Sequence, residues 1–254
     1  MSGNRKSAAK RPSRRTASTH AVLFGLHAVA AALQNPNRQH IRLTATRNAA
    51  ARLDALAGGL PIDAQIAEPR DVDKIVQGAV HQGVVLECEH LANPHIQELA
   101  GMRLVVALDQ ITDPQNVGAI IRSTNALGAD AVITTARHSP EATGTMAKAA
   151  SGALEWTPYV TVSNLAEALS ALGDLGFYRI GLDSDGDHSL TEAVAGLDAS
   201  HPRALVLGAE GKGLRHLTRQ RCDQVARLDM PGRIKSLNVS NAAVLALNIA
   251  STGD

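Results

Sequence analysis

Three short segments gather residue types whose spacing suits chemistry. The first is Asp113-Pro114-Gln115-Asn116-Val117-Gly118-Ala119-Ile120-Ile121-Arg122. Asp113-Pro114 reads as a helix opening, an acidic cap followed by a proline in the first turn. That puts the Asn116 amide near the positive end of the helix dipole. Arg122 follows two turns in, and Gly118, four residues earlier, leaves it no bulky neighbour on its N-terminal side. A lone helical arginine is ordinarily solvated or ion-paired, so this segment is weak alone. The second is Leu207-Gly208-Ala209-Glu210-Gly211-Lys212-Gly213-Leu214. Its three glycines permit positive φ and close backbone approach to a ligand. It is neither a P-loop nor a dinucleotide fingerprint. Val206 and Gly213 stand where the former needs Gly and Ser/Thr, and the glycines read G-x-x-G-x-G rather than G-x-G-x-x-G. Glu210 in such a turn is exposed unless something binds it. The third segment is Met230-Pro231-Gly232-Arg233-Ile234-Lys235-Ser236-Leu237-Asn238-Val239-Ser240-Asn241, leading into an Ala/Leu-rich helix. One Ser or Asn suffices to cap that helix; four at its start suggest a polar ligand site. No Ser-His-Asp or Cys-His arrangement and no metal cluster accompanies the segments. Cys88, His90 and His95 look ligand-like but lack a fourth ligand, and His27 and His81 read as packing or capping residues.

The elements that must position these segments alternate. Leu104–Leu108 is a continuous apolar run, the mark of a strand buried on both faces. A helix to about Leu127 follows it, and then strands over 131–134, 159–162, 179–182, 204–207 and 225–228. Helices are expected over 145–153, 165–172, 214–221 and 238–250. Such alternation predicts a parallel sheet covered by helices, whose ligands bind beyond the carboxyl ends of the strands, where all three segments fall. Upstream, helical patterns over 25–34, 48–57 and 71–77 (the last with Asp71 as cap) alternate with strands over 41–45 and 83–86. These form a smaller α/β domain. The expected organisation is a tail over 1–19, a first domain over 20–88, a linker over 89–101 and a larger domain over 102–254.

The chain has 254 residues, 44% hydrophobic and 19% charged, an ordinary globular composition. Aromatics are only 2%, which argues against RNA modules that stack bases on an aromatic sheet. The longest near-apolar run, 21–33, is interrupted by His27 and is too short for a membrane span of roughly 18–20 residues, so no membrane association is expected. Cys88 and Cys222 are far apart and read as reduced thiols. The formal net charge of +1 hides an asymmetry. Residues 1–19 hold six of the 25 basic residues and none of the 24 acids. A basic arm on a mildly acidic body suggests a polyanion partner. The arm is also Ser/Thr-rich and acid-free, as transit peptides are, but lacks their apolar stripe.

Taken together, D-P-x-N-V-G-A-I-I-R, L-V-L-G-A-E-G-K-G-L and M-P-x-x-x-x-x-S-L-N-V-S-N-A-A resemble the three motifs of the SpoU/TrmH-type RNA 2′-O-methyltransferases of the SPOUT class, over Leu104 to Ala250. Leu23-Phe24-Gly25-Leu26-His27-Ala28-Val29 and His81-Gln82-Gly83-Val84-Val85 are similar to the L30e-like substrate-binding domain of the branch that methylates guanosine in 23S rRNA. One departure is Leu228-Asp229-Met230-Pro231, where the family usually has Ile-Pro-Met.

The resemblance implies an α/β fold with a deep trefoil knot in the C-terminal domain, a rare exception to un-knotted topology. It also implies a homodimer, an rRNA partner, a cytoplasmic location and S-adenosylmethionine as methyl donor without metal. Gly208, Leu228 and Leu237, with the neighbouring Leu207, Gly213, Met230, Asn238 and Ser240, match the cofactor site. Arg122, Asn116, Glu210, Ser236 and Asn241 match catalytic positions. Arg122 is the family's presumed base. A guanidinium with a pKa above ~12 is hard to deprotonate, so Arg122 is expected chiefly to hold a backbone phosphate beside the 2′-hydroxyl. Asn241 and Ser236 would hold the ribose and the cofactor's surroundings, and Glu210 would orient Arg122 or a loop amide. A tRNA methyltransferase of the same class and a non-catalytic L30e-like RNA-binding protein are the alternatives. The extra N-terminal domain counts against the first, and the three intact motifs count against the second.

Overall fold

A computed structural model of the chain describes residues 20–137, 144–198, 200–209 and 211–251. The basic tail of 1–19 and Glu210 lie outside the described residues.

The chain begins with β1 (Ala21–Phe24), α1 (Leu26–Gln34), β2 (His40–Ala45), α2 (Arg47–Ala57), β3 (Ala64–Ile66), α3 (Pro69–Val76) and β4 (Val84–Cys88). Its sheet runs β1-β4-β2-β3, with β4 antiparallel to both neighbours and β2 parallel to β3. β1 hides within the apolar run 21–33, and Gly25, at φ 93°, separates it from α1. α3 starts earlier than expected. Pro69 takes the first helical turn, where its fixed φ is already helical and its missing N–H costs nothing. Glu68 therefore precedes the helix, and Asp71 lies inside the first turn, paired with Lys74 rather than capping.

After the segment 89–101, which carries one 3-10 turn (Ile96–Leu99), come β5 (Leu104–Asp109), α4 (Pro114–Ala126), β6 (Ala131–Thr135), α5 (Gly144–Ala150), β7 (Tyr159–Val162), α6 (Leu165–Asp174) and β8 (Tyr178–Leu182). The chain then forms β9 (His188–Ser189), α7 (Leu190–Ala195), β10 (Arg203–Gly208), α8 (His216–Gln220), β11 (Gln224–Arg227) and α9 (Val239–Ser251). All seven strands pair in parallel, in the order β7-β6-β5-β10-β8-β11-β9. This is the expected parallel sheet. Every residue of β5 and the first five of β10 are buried, as strands covered on both faces must be. The helix expected over 145–153 stops at Ala150, because Ser151 and Gly152 turn left-handed, and a 3-10 turn follows. The helix expected over 214–221 shrinks to α8, since Leu214 and Arg215 still belong to the turn that precedes it.

Helix α4 sits unusually close to α5: a Cβ at Gly118 would lie 2.5 Å from the Met146 carbonyl oxygen. Gly118 therefore serves helix–helix approach, rather than giving Arg122 room. Through α5 the core under one face of the large sheet (Val106, Leu108, Ile120, Met146) runs without a break into the first domain (Leu23, Leu26, Val29). A second core covers the other face, around Val105, Ile133, Leu169 and Val206. The segment 89–101 is more than a tether. Leu99 is buried in the second core, and the Asn93 side chain pairs with both backbone polar groups of Thr161, shielding the edge of β7.

Both thiols are hard to ionise. Burial pushes Cys88 from 9.0 up to about 11 and Cys222 up to about 12. Neither should react with a thiol-alkylating reagent at pH 8 until the protein unfolds, which mass spectrometry with and without urea would show. A raised folded-state pKa also means that these groups contribute stability below about pH 9, and that it is lost as pH rises toward 11–12. A urea midpoint that stays constant from pH 8 to 11 would contradict this.

Candidate functional site

The strand order places the carboxyl ends of β5, β10, β8 and β11 in one row. Those of β5, β10 and β11 lead into the three sequence segments. β5 ends at Asp109, whose side chain is fully buried. It accepts hydrogen bonds from the Arg215 backbone N–H at 3.0 Å and from Arg215 Nε at 2.6 Å. This ion pair ties the exit of the glycine loop to the strand that feeds the first segment. Neither residue was expected at the site. The available signal was an acid closing an otherwise apolar, fully buried strand, where an unpaired charge is costly.

Asp113 caps α4, accepting from the Gln115 N–H at 3.0 Å, and thereby fixes Asn116 in the first turn. Asn116 Oδ1 accepts a hydrogen bond of 3.1 Å from Asn238 Nδ2, 122 residues away. Asn238 Oδ1 in turn accepts from the Ser240 backbone N–H at 2.9 Å and from its hydroxyl at 2.6 Å. Asn238 is thus a cap and a bridge at once, satisfying the start of α9 while joining the first segment to the third. Between them, residues 231–238 are wholly exposed, and Lys235 Nζ donates to the Met230 carbonyl oxygen at 2.7 Å, closing the loop on itself. Leu228 is half-buried against the main core, and Leu237 is exposed.

In the glycine loop, Ala209 bridges to Gly213, so the chain folds back on the end of β10. Leu207 is buried in the core beneath it. A Cβ at Gly208 would overlap the Gly213 carbonyl group and lie 2.7 Å from Leu214 N. Gly213, at φ 62°, sits against the Asp183 carboxylate at the end of β8. Glycine at 208 is therefore required by the loop's own return, which is a different reason from direct approach to a ligand. Gly208→Ala should cost about 1–3 kcal/mol, as overpacking against backbone does. It should weaken S-adenosylmethionine binding by roughly 5- to 150-fold if the loop pays that cost on binding, and Gly208→Val should do more. Calorimetric titration with the donor decides; wild-type affinity in Gly208→Val would show that the loop has no part in the site.

The structure does not bring every expected residue together. Arg122 is exposed on α4 and makes no hydrogen bond or ion pair among the described residues, and neither do the side chains of Ser236 and Asn241. Glu210 lies outside the described residues. No group of three or more metal-ligating side chains occurs among the described residues, and none of their helices is long and apolar enough to cross a membrane.

A parallel α/β sheet with amide- and glycine-bearing loops at the carboxyl ends of β5, β10 and β11 defines a class of proteins that hold a small polar ligand there. The chain belongs to the SpoU rRNA methylase family, whose sequence model matches residues 103–248, while the model for RNA 2′-O ribose methyltransferase substrate binding matches 22–94. The 23S rRNA (guanosine-2′-O-)-methyltransferase RlmB of Pseudomonas aeruginosa is 39% identical over 236 residues, covering 89% of this chain and 93% of that protein. The RlmB of a Burkholderia species is 38% identical over 245 residues, covering 89% and 94%. Among solved structures, the SpoU methyltransferase AviRb from Streptomyces viridochromogenes in complex with AdoMet shares the fold. It has a TM-score of 0.76 at 24% identity, covering 92% of this chain and 90% of AviRb. Family membership meets the expectation of an S-adenosylmethionine-dependent RNA ribose 2′-O-methyltransferase, an α/β enzyme with a substrate-binding domain ahead of its parallel-sheet domain.

Proposed function

We propose that the chain methylates the ribose 2′-oxygen of a guanosine in 23S rRNA, in the cytoplasm. The observation that carries the site is the Asn116–Asn238–Ser240 link beside the pinned glycine loop. The RNA target rests on the names of the RlmB relatives.

The residues present fit the donor. Neutral backbone and amide groups suit an adenosine, Leu228 and Leu237 offer apolar contact, and the turn at Gly211 is open to solvent. Leu207, Gly208, Gly213, Leu228, Met230, Leu237, Asn238 and Ser240 would hold it. S-adenosylmethionine supplies a sulfonium-activated methyl group to an in-line displacement. Aligning the ribose for that step can contribute ~7–11 kcal/mol, and this falls to Asn116, Ser236 and Asn241. Arg122, exposed and without a described partner, holds the phosphate next to the reacting ribose, and that phosphate or water receives the hydroxyl proton. Glu210 orients Arg122 or a loop amide.

The domain division 20–88, 89–101 and 102–254 belongs to the same proposal, as do an L30e-like first domain, the trefoil knot and a homodimer. Support for the knot is that β10 inserts between β5 and β8, while Arg203 at its start donates to the Ala250 carbonyl oxygen of α9 at 2.7 Å. Support for the dimer is that α9 buries Val239, Ala243, Ala246 and Leu247 but leaves Val244 and Leu245 more than 40% exposed. Sedimentation should give a dimer at micromolar concentration; a stable monomer there would contradict it.

The test of function is transfer of labelled methyl from S-adenosylmethionine to 23S rRNA, with the product located by reverse-transcription stops at low dNTP. A single guanosine stop is expected. Labelling of tRNA but not rRNA would overturn the target.

A further inference from the structure

A cleft of about 810 Å³ opens between the two domains, and no residue of the three motif segments lines it. Asn37 of the first domain, Leu91 and Pro94 of the connecting segment, and Thr135, Trp156 and Pro158 of the larger domain all line it. Its size falls within the roughly 300–1,000 Å³ of small-ligand sites. We infer that this cleft takes one unstacked nucleobase of the RNA substrate, held against Trp156, an inference that rests on the methyltransferase reading above.

Three observations point to that occupant. Trp156 is the only tryptophan in the chain and is 51% exposed, whereas Phe24 and Phe177 are buried. A large indole left in a concave wall is a stacking platform, and base–aromatic stacking is indifferent to sequence. Thr135, one of the residues lining the cleft, is 3% exposed, and its buried hydroxyl has no hydrogen-bond partner among the described residues. A buried hydroxyl of that kind is costly unless something enters to pair with it. Finally, the charges at the cleft are already matched. Arg38 meets Glu155 through Nε at 3.0 Å and Nη2 at 2.6 Å, and its Nη1 donates to the Glu89 carbonyl oxygen at 2.8 Å. A phosphate finds no spare cation in that pair, whereas an uncharged ring with hydrogen-bonding edges fits. RNA is commonly recognised through bases splayed out in this way.

Because Trp156 stands alone, its fluorescence reports this cleft directly. Titrating the full chain with 23S rRNA transcript should quench the emission saturably and shield it from acrylamide, and an oligonucleotide of abasic residues should do neither. Trp156→Ala should raise KM for RNA roughly 5- to 100-fold, the loss of one stack, with kcat and S-adenosylmethionine affinity unchanged. Trp156→Phe should restore most of it. Thr135→Val, which keeps the shape and removes the hydroxyl, should raise KM roughly 2- to 10-fold. Unchanged emission and accessibility at saturating RNA, equal shielding by the abasic strand, or wild-type KM in both Trp156→Ala and Thr135→Val would each overturn the inference. If the wild type still methylates rRNA, the enzyme reading survives that failure. Quenching without any methyl transfer would instead uphold the cleft and sink the enzyme reading.

Discussion

Arg122→Ala should lower kcat for methyl transfer by roughly 10²- to 10³-fold, the usual loss when one group that stabilises charge in the reacting complex is removed. The fold should be untouched, because the side chain is exposed and holds nothing among the described residues. Donor binding should change little, since Arg122 lies six residues, about 1.7 turns, beyond Asn116 on α4 and its side chain makes no described hydrogen bond or ion pair with the glycine loop. Arg122→Lys separates the two roles open to the residue. A phosphate anchor needs only a positive charge, so lysine should recover part of the rate with the same pH profile. A base must give up a proton, and lysine, with a pKa near ~10.4 against a guanidinium above ~12, would shift the alkaline limb to lower pH. Full activity in Arg122→Lys with such a shift would establish the base role and remove the phosphate role.

The second large effect is on stability. Arg38 and Glu155 are 117 residues apart and join the first domain to the larger one, with side chains only 3% and 2% exposed. Asn35 adds a hydrogen bond of 3.0 Å to the same carboxylate. Removing one partner leaves the other charge buried and unpaired, which costs about 3–5 kcal/mol. Arg38→Met or Glu155→Gln should therefore lower the melting temperature by roughly 6–20 °C for a chain of this size. The double replacement Arg38→Met with Glu155→Leu should recover much of the loss, because neither charge then needs burial. Single variants that melt with the wild type would mean that water reaches the pair and that the domain junction is looser than its apolar core implies.

The sequence by itself determined most of the secondary structure and the three motif segments, because both are local properties. A run such as Leu104–Leu108 is apolar on every face wherever it folds, and Asp113-Pro114 opens a helix from its own chemistry. Short elements escaped for the same reason. Two-residue β9 and six-residue α7 carry too little pattern to stand out from the polar stretch around them. Family motifs, not spacing alone, singled out Arg122, Ser236 and Asn241, and the structure leaves these side chains without described partners. Only the tertiary structure decided which residues meet. Asn116 with Asn238, Asp109 with Arg215 and Arg38 with Glu155 are each more than 100 positions apart. Local sequence marks Asp109, Asn116 and Asn238 as unusual, but nothing local says which residue each of the six meets. Asp109 meets Arg215 because an out-of-sequence strand order brings the ends of β5 and β10 side by side, and Arg38 meets Glu155 where the two domains share a core, because burial makes an unpaired charge too costly to leave.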